Sequence, residues 1–183
     1  MFTEETLHEK ILYKLDFVEH DTEKIITSMV KNVKHLDMRE YVKKAFDTDN
    51  SAALVALARR ATLPPLFFLD YFGVRNISYA ASEPTKLLDI LLSRVPYYCI
   101  EQNDIFHSAL LAFDFDRQDN FIALLGFKEM SIRFLLGLLD VAVKENEQWA
   151  IDAIMNSKKR FMYASILENF LLQSLPFKRQ KVQ

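Results

Sequence analysis

The segment Ser131-Ile132-Arg133-Phe134-Leu135-Leu136-Gly137-Leu138-Leu139-Asp140-Val141-Ala142-Val143 is apolar on nearly every side of a helical wheel. Arg133 and Asp140 are its only charges, and it is too short to cross a bilayer. A helix apolar all round belongs inside other helices rather than on a surface. We therefore expect residues 132–143 to lie in the middle of a helical stack, with Ser131 at the start.

Outward from that segment the apolar residues keep helical spacing. Leu7, Ile11, Leu15 and Val18 share one face, and Thr6 with Glu9 suits a capping box. Ile26, Met29, Val30 and Val33 form a second stripe after Asp21, a suitable N-cap. A third helix is expected over 37–46. The polar break Thr48-Asp49-Asn50-Ser51 supplies Asn50 or Ser51 to cap a helix over 52–60. Pro64 and Pro65 open a helix over 66–72 that stops at Gly73. Residues 74–82 read as irregular. Pro84 precedes Leu87, Leu88, Leu91, Leu92 and Val95, and Pro96 ends that stripe. Asp104 is expected to cap a helix through Phe113, and the polar stretch 114–120 separates it from 121–125. Trp149, Ala150, Ala153 and Ile154 mark a further helix. Tyr163, Ile166, Leu167, Phe170 and Leu171 mark the last, which closes before Pro176.

Gly73, Gly126 and Gly137 are the only glycines in 183 residues, too few for the tight turns of a sandwich or a doubly wound sheet. The expected fold class is all-α: about ten short helices stacked as antiparallel pairs, with an irregular helical bundle as the alternative. We expect one helical domain over 1–175 and a polar basic tail over 176–183.

The run from Ala53-Leu54-Val55-Ala56-Leu57-Ala58 through Leu66-Phe67-Phe68-Leu69 to Gly73 resembles one ankyrin repeat. Ala109-Leu110-Leu111 through Leu124-Leu125-Gly126 echoes it, as does Leu138-Leu139-Asp140-Val141-Ala142 through Trp149-Ala150-Ile151-Asp152-Ala153-Ile154. Small residues on a first helix let the second approach, and each pair hides its remaining face on the next. The Thr-Pro-Leu-His signature is missing, Ala61 stands where the family places glycine, and Ala53 to Ala109 spans 56 residues rather than one 33-residue period. The resemblance implies binding to another protein, with no cofactor and no chemistry.

Lys and Arg number 23 against 25 Asp and Glu, so no global charge draws the chain to nucleic acid. Cys99, the only cysteine, excludes an intramolecular disulfide and a thiolate metal cluster. The acidic start has neither the basic head nor the apolar stretch of a secretory signal. An intracellular setting is expected, cytoplasmic or nuclear, or a host cell reached by another export route. The histidines His8, His20, His35 and His107 make no tight ligand pair, and we read His8 and His20 as surface residues. The run 114–125 spaces oxygen ligands as a calcium loop does, but Asp119 and Leu125 stand where glycine and glutamate are needed. No glycine-rich phosphate cradle and no nucleophile elbow occur.

These observations lead to a non-enzymatic protein-binding module without cofactor or metal. Loops on rigid scaffolds often carry recognition, so the candidate partner-binding residues are Arg75, Asn76, Tyr79, Arg117 and Asn120. Pairing with a second copy is a further expectation for a helical array with uncapped ends. The alternatives are a nucleic-acid-binding protein using Lys178, Arg179 and Lys181 of the tail, and a helical enzyme with a site assembled from distant acids and histidines.

Overall fold

The computed structural model describes residues 4–17, 21–31, 38–59, 74–84, 86–95, 97–157 and 160–174. Among them the chain is all-α: eleven α-helices and one short 3-10 turn, with no strand. They are α1 (Glu4–Leu15), α2 (Thr22–Lys31), α3 (Met38–Asp47), α4 (Ser51–Ala58), α5 (Val74–Ser82), α6 (Leu87–Arg94), α7 (Gln102–Asp114), α8 (Gln118–Phe127), α9 (Ile132–Lys144), α10 (Gln148–Asn156) and α11 (Arg160–Ser174). They group into two compact units, Met1–Cys99 and Ile100–Gln183.

In the first unit α1 packs on α2 and α3 on α4, while α1 also meets α3 and α2 meets α4. Like helices thus lie on like helices. Helix α4 is the hub: Ala53, Leu54, Val55, Ala56, Leu57 and Ala58 are all buried, because α2, α3 and α6 surround it. Its small side chains let those neighbours approach. The second unit repeats the plan, with α7 on α8, α9 on α10, α7 on α9 and α8 on α10. Helix α11 covers α9 and α10. The apolar segment 132–143 forms most of α9, whose Leu135, Leu138, Leu139 and Ala142 are buried. It contacts α7, α10 and α11, the interior place its composition requires.

One turn is built three times. After α3, α7 and α9 the chain enters the left-handed region at Asp49, Asp116 and Asn146, with φ of 53°, 53° and 57°. The next residue's N–H then reaches back to a buried alanine: Asn50 to the Ala45 carbonyl at 2.8 Å, Arg117 to Ala112 at 2.7 Å, and Glu147 to Ala142 at 2.9 Å. The left-handed residues donate to the carbonyls of Phe46, Phe113 and Val143. This pair of bonds is the Schellman motif, which satisfies carbonyls that a helix end would leave without partners. Asp and Asn tolerate the left-handed conformation better than other side chains, so glycine is not needed.

Several sequence expectations change in the structure. Residues 74–82 form helix α5 instead of an irregular segment, because Ile77, Ala80 and Ala81 fall on one face and are buried. Helix α1 starts at Glu4, which places Thr6 inside it and leaves no capping box there. Glu101 holds the N-cap position of α7, so Asp104 sits in the first turn, where its charge favours the helix dipole. The connector expected over 114–120 shrinks to residues 115–117. Asn50 does cap α4, accepting from the Ala53 N–H at 3.0 Å. The helix expected over 66–72 lies outside the described residues. So does the second half of the ankyrin-like run, whose first helix, α4, is the second member of the α3/α4 pair.

Candidate functional site

Because α7 stacks on α9 and α8 on α10, the turns after α7 and α9 lie side by side. Each turn ends a helix in an acidic run, so four exposed acidic residues line one concavity: Asp114 and Asp116 from one turn, Glu145 and Glu147 from the other. They surround a cleft of about 340 Å³ whose remaining lining is Phe113, Val141 and Trp149. Among the described residues no basic side chain lines it.

Trp149 in the first turn of α10 organises the floor. Its ring stacks on Phe113 at 5.7 Å between centroids and 29° between planes, and meets the edge of Phe121 at 5.3 Å and 82°. Phe121 is buried, whereas Phe113 and Trp149 are half-buried. Such pairs fix a ring more firmly than burial alone does. Trp149 also borders a second cleft of about 450 Å³ between α8 and α10. Ile122, Leu125, Gly126 and Ala153 give that groove an apolar bed, with Gln118, Asp152, Asn156 and Ser157 beside them. Ile122 is 54% exposed, and the buried Ser157 hydroxyl has no hydrogen-bond partner among the described residues.

The five residues expected to bind a partner are not brought together in this way. Arg117 is half-buried at the N-cap position of α8, between Asp116 of the first cleft and Gln118 of the second. Asn120 is buried in α8. Tyr79 is half-buried in α5, where its hydroxyl donates to Asp49 Oδ1 at 2.7 Å and its ring meets Phe46 edge-on. Burial, then the Asp49 hydrogen bond and nearby Glu83, holds its phenol above the ordinary range. Arg75 and Asn76 fall in α5, and their side chains lie outside the described residues. Lys178, Arg179 and Lys181 also lie outside them.

Other polar groups hold the fold. His8 lies at the surface, with 39% of its side chain exposed, and joins α1 to α3: Nδ1 lies 2.6 Å from the buried Tyr41 hydroxyl and Nε2 3.5 Å from Glu40. His107 Nδ1 contacts the Asn103 carbonyl at 2.8 Å within α7. Cys99 is half-buried and free. Among the described residues no group of three or more His, Cys, Asp or Glu side chains is arranged to hold a metal. Among them, no helix is long and apolar enough to cross a membrane.

Sequence reasoning offered the connector 114–120 as a recognition surface through Arg117 and Asn120, but it did not pair that turn with Glu145 and Glu147 or with Trp149. The signal was nonetheless present. Ala112-Phe113-Asp114-Phe115-Asp116 and Ala142-Val143-Lys144-Glu145-Asn146 occupy equivalent places 30 residues apart, and both turns are acidic. Comparison of the chain with family models, with curated proteins and with solved structures finds no match.

Proposed function

We propose that this chain is a non-enzymatic protein-interaction module that presents the stacked turns of its second unit to a partner. The observation that carries this reading is the pair of clefts meeting at Trp149, with the exposed Ile122 in one of them. Half-exposed aromatic and aliphatic side chains on a rigid support make effective anchors, since little conformational entropy is lost when they dock. Repeated turns on like-stacked helices supply that rigidity. The same plan supports an ankyrin-like reading: Asp49 and Asp116 are 67 residues apart, close to two repeats of about 33 residues each.

The acidic cleft argues against phosphate as its ligand, because four carboxylates repel a nucleic-acid backbone. The test uses the purified full chain and a partner captured with it from the native cell. The pair should rebind saturably when both are pure, and Ile122→Glu should abolish rebinding without changing the helical circular dichroism signal. A pair that does not rebind, or one indifferent to Ile122→Glu, would overturn the placement of the interaction on this face.

A further inference from the structure

We infer that the clefts on either side of Trp149 form one recognition site for a basic, partly apolar segment of a partner protein. A lysine or arginine side chain enters the acidic cleft, and a neighbouring apolar side chain enters the groove between α8 and α10. The inference rests on the interaction-module reading and adds to it the chemistry of the partner.

Charge complementarity decides the occupant. Two turns each deliver two acidic residues to a single concavity whose described lining holds no basic side chain, so its charge favours a cation over an anion. Lys144, the lysine that precedes Glu145, is held by Asp140 at 2.6 Å within α9. The floor suits the same guest. Trp149 and Phe113 present a stacked aromatic pair, and a cation over an aromatic face gains electrostatically from the ring. An arginine guanidinium can lie flat on such a ring while it donates to carboxylates at the rim.

A second and independent observation extends the site beyond a simple cation pocket. The adjoining groove has an apolar bed, opens beside the same Trp149, and holds the exposed Ile122. The apolar side chain of a peptide segment covers Ile122 in this groove. A free cation or a small amine would fill only the first cleft.

Trp149 is the only tryptophan in the chain, so its emission reports on this place alone. The probes are short capped Gly/Ser peptides without tryptophan: one carrying Arg and Leu, one with Glu in place of Arg, and one with Ser in place of Leu. The Arg/Leu peptide should change the emission saturably, and its affinity should fall as salt is raised. The double variant Glu145→Gln/Glu147→Gln should weaken it about tenfold, the scale of losing two exposed charge contacts. Asp114→Asn gives a second variant at a separate exposed position. The Ser-for-Leu peptide should bind more weakly, and Ile122→Ser should remove that difference.

Equal binding of the Glu/Leu peptide, or affinity unchanged in both charge variants, would overturn the inference. Binding that rises when residues 176–183 are deleted would make the chain's own basic tail the occupant and overturn the assignment to a partner. If a captured partner still binds the charge variants at full affinity, the interaction-module reading stands and this assignment falls.

Discussion

Asn50 ties three pieces of chain together with one buried amide. Its Oδ1 accepts from the Ala53 N–H, and its Nδ2 donates to the carbonyls of Leu15 and Phe17 at 3.3 and 3.2 Å. Thr48 adds a bond to the same Leu15 carbonyl at 2.9 Å. Asn50→Ala removes a helix cap and leaves buried polar groups with fewer partners, a loss of about 2–4 kcal/mol. A lowered urea midpoint at constant slope would register it. Asn50→Asp is the sharper test. Aspartate caps helices well, but here it would turn a carboxylate oxygen toward two carbonyls. The account requires it to destabilise nearly as much as alanine does, and a neutral result would mean the cap alone matters.

Tyr79 carries a pH signature at the same scale. Its phenol titrates above its unfolded value of about 10, chiefly because burial disfavours the charged form. The folded state therefore holds the proton more tightly than the unfolded chain. The resulting stability is fully present below about pH 10 and is lost as pH rises past that value toward the folded one. Tyr79→Phe should lower stability at neutral pH by about 1 kcal/mol through the lost Asp49 hydrogen bond. It should also flatten the fall in stability above pH 10. Identical alkaline profiles for the two proteins would show that Tyr79 is not responsible.

At the scale of elements, the repeated turn makes a prediction that contrasts two substitutions at one place. Asn146 sits at φ 57° between α9 and α10. Glycine there relieves the Cβ penalty, whereas valine meets it in full. Asn146→Gly should be neutral or stabilising by up to ~1 kcal/mol, and Asn146→Val destabilising by ~1–2 kcal/mol. Thermal midpoints that fail to separate the two would count against the Schellman geometry. Gly126 offers the opposite case. It lies in α8, where among the described residues nothing beyond its own helix backbone and chain neighbours comes within 4 Å of an added Cβ, and it has no left-handed φ to preserve. Gly126→Ala should therefore raise stability by ~0.5–1 kcal/mol.

These elements also show what was legible in the sequence. The stripes of α2, α6 and α9 were plain, because leucine, isoleucine and valine recur at helical spacing. Helix α5 was not. Its Asn76, Ser78 and Ser82 favour turns, and only the burial of Ile77, Ala80 and Ala81 by neighbours makes it helical. The scarcity of glycine correctly argued against sheets, yet it concealed the turns, which use Asp and Asn instead. The site was harder still. Asp114 and Glu147 are far apart in the chain, and only the stacking of α7 on α9 makes neighbours of their turns. Tyr79 and Asn120 drew attention as polar residues in presumed loops, and the structure assigns both to helices.

At the scale of the whole molecule, one construction is used in each unit. Two helix–turn–helix pairs lie with first helix on first helix and second on second, and a further helix closes the stack. In Ile100–Gln183 the exposed rim of that construction is acidic and aromatic, and the recognition site proposed above lies there. All of it depends on the turns being formed in solution as described. Amide hydrogen exchange of the full chain tests that most directly. The N–H groups of Asn50, Arg117 and Glu147 should exchange as slowly as amides in the middle of α4 and α9, since each is bonded to the carbonyl of a buried alanine. Exchange of these three at the rate of an unstructured chain, while α4 and α9 stay protected, would contradict the stacked-pair construction.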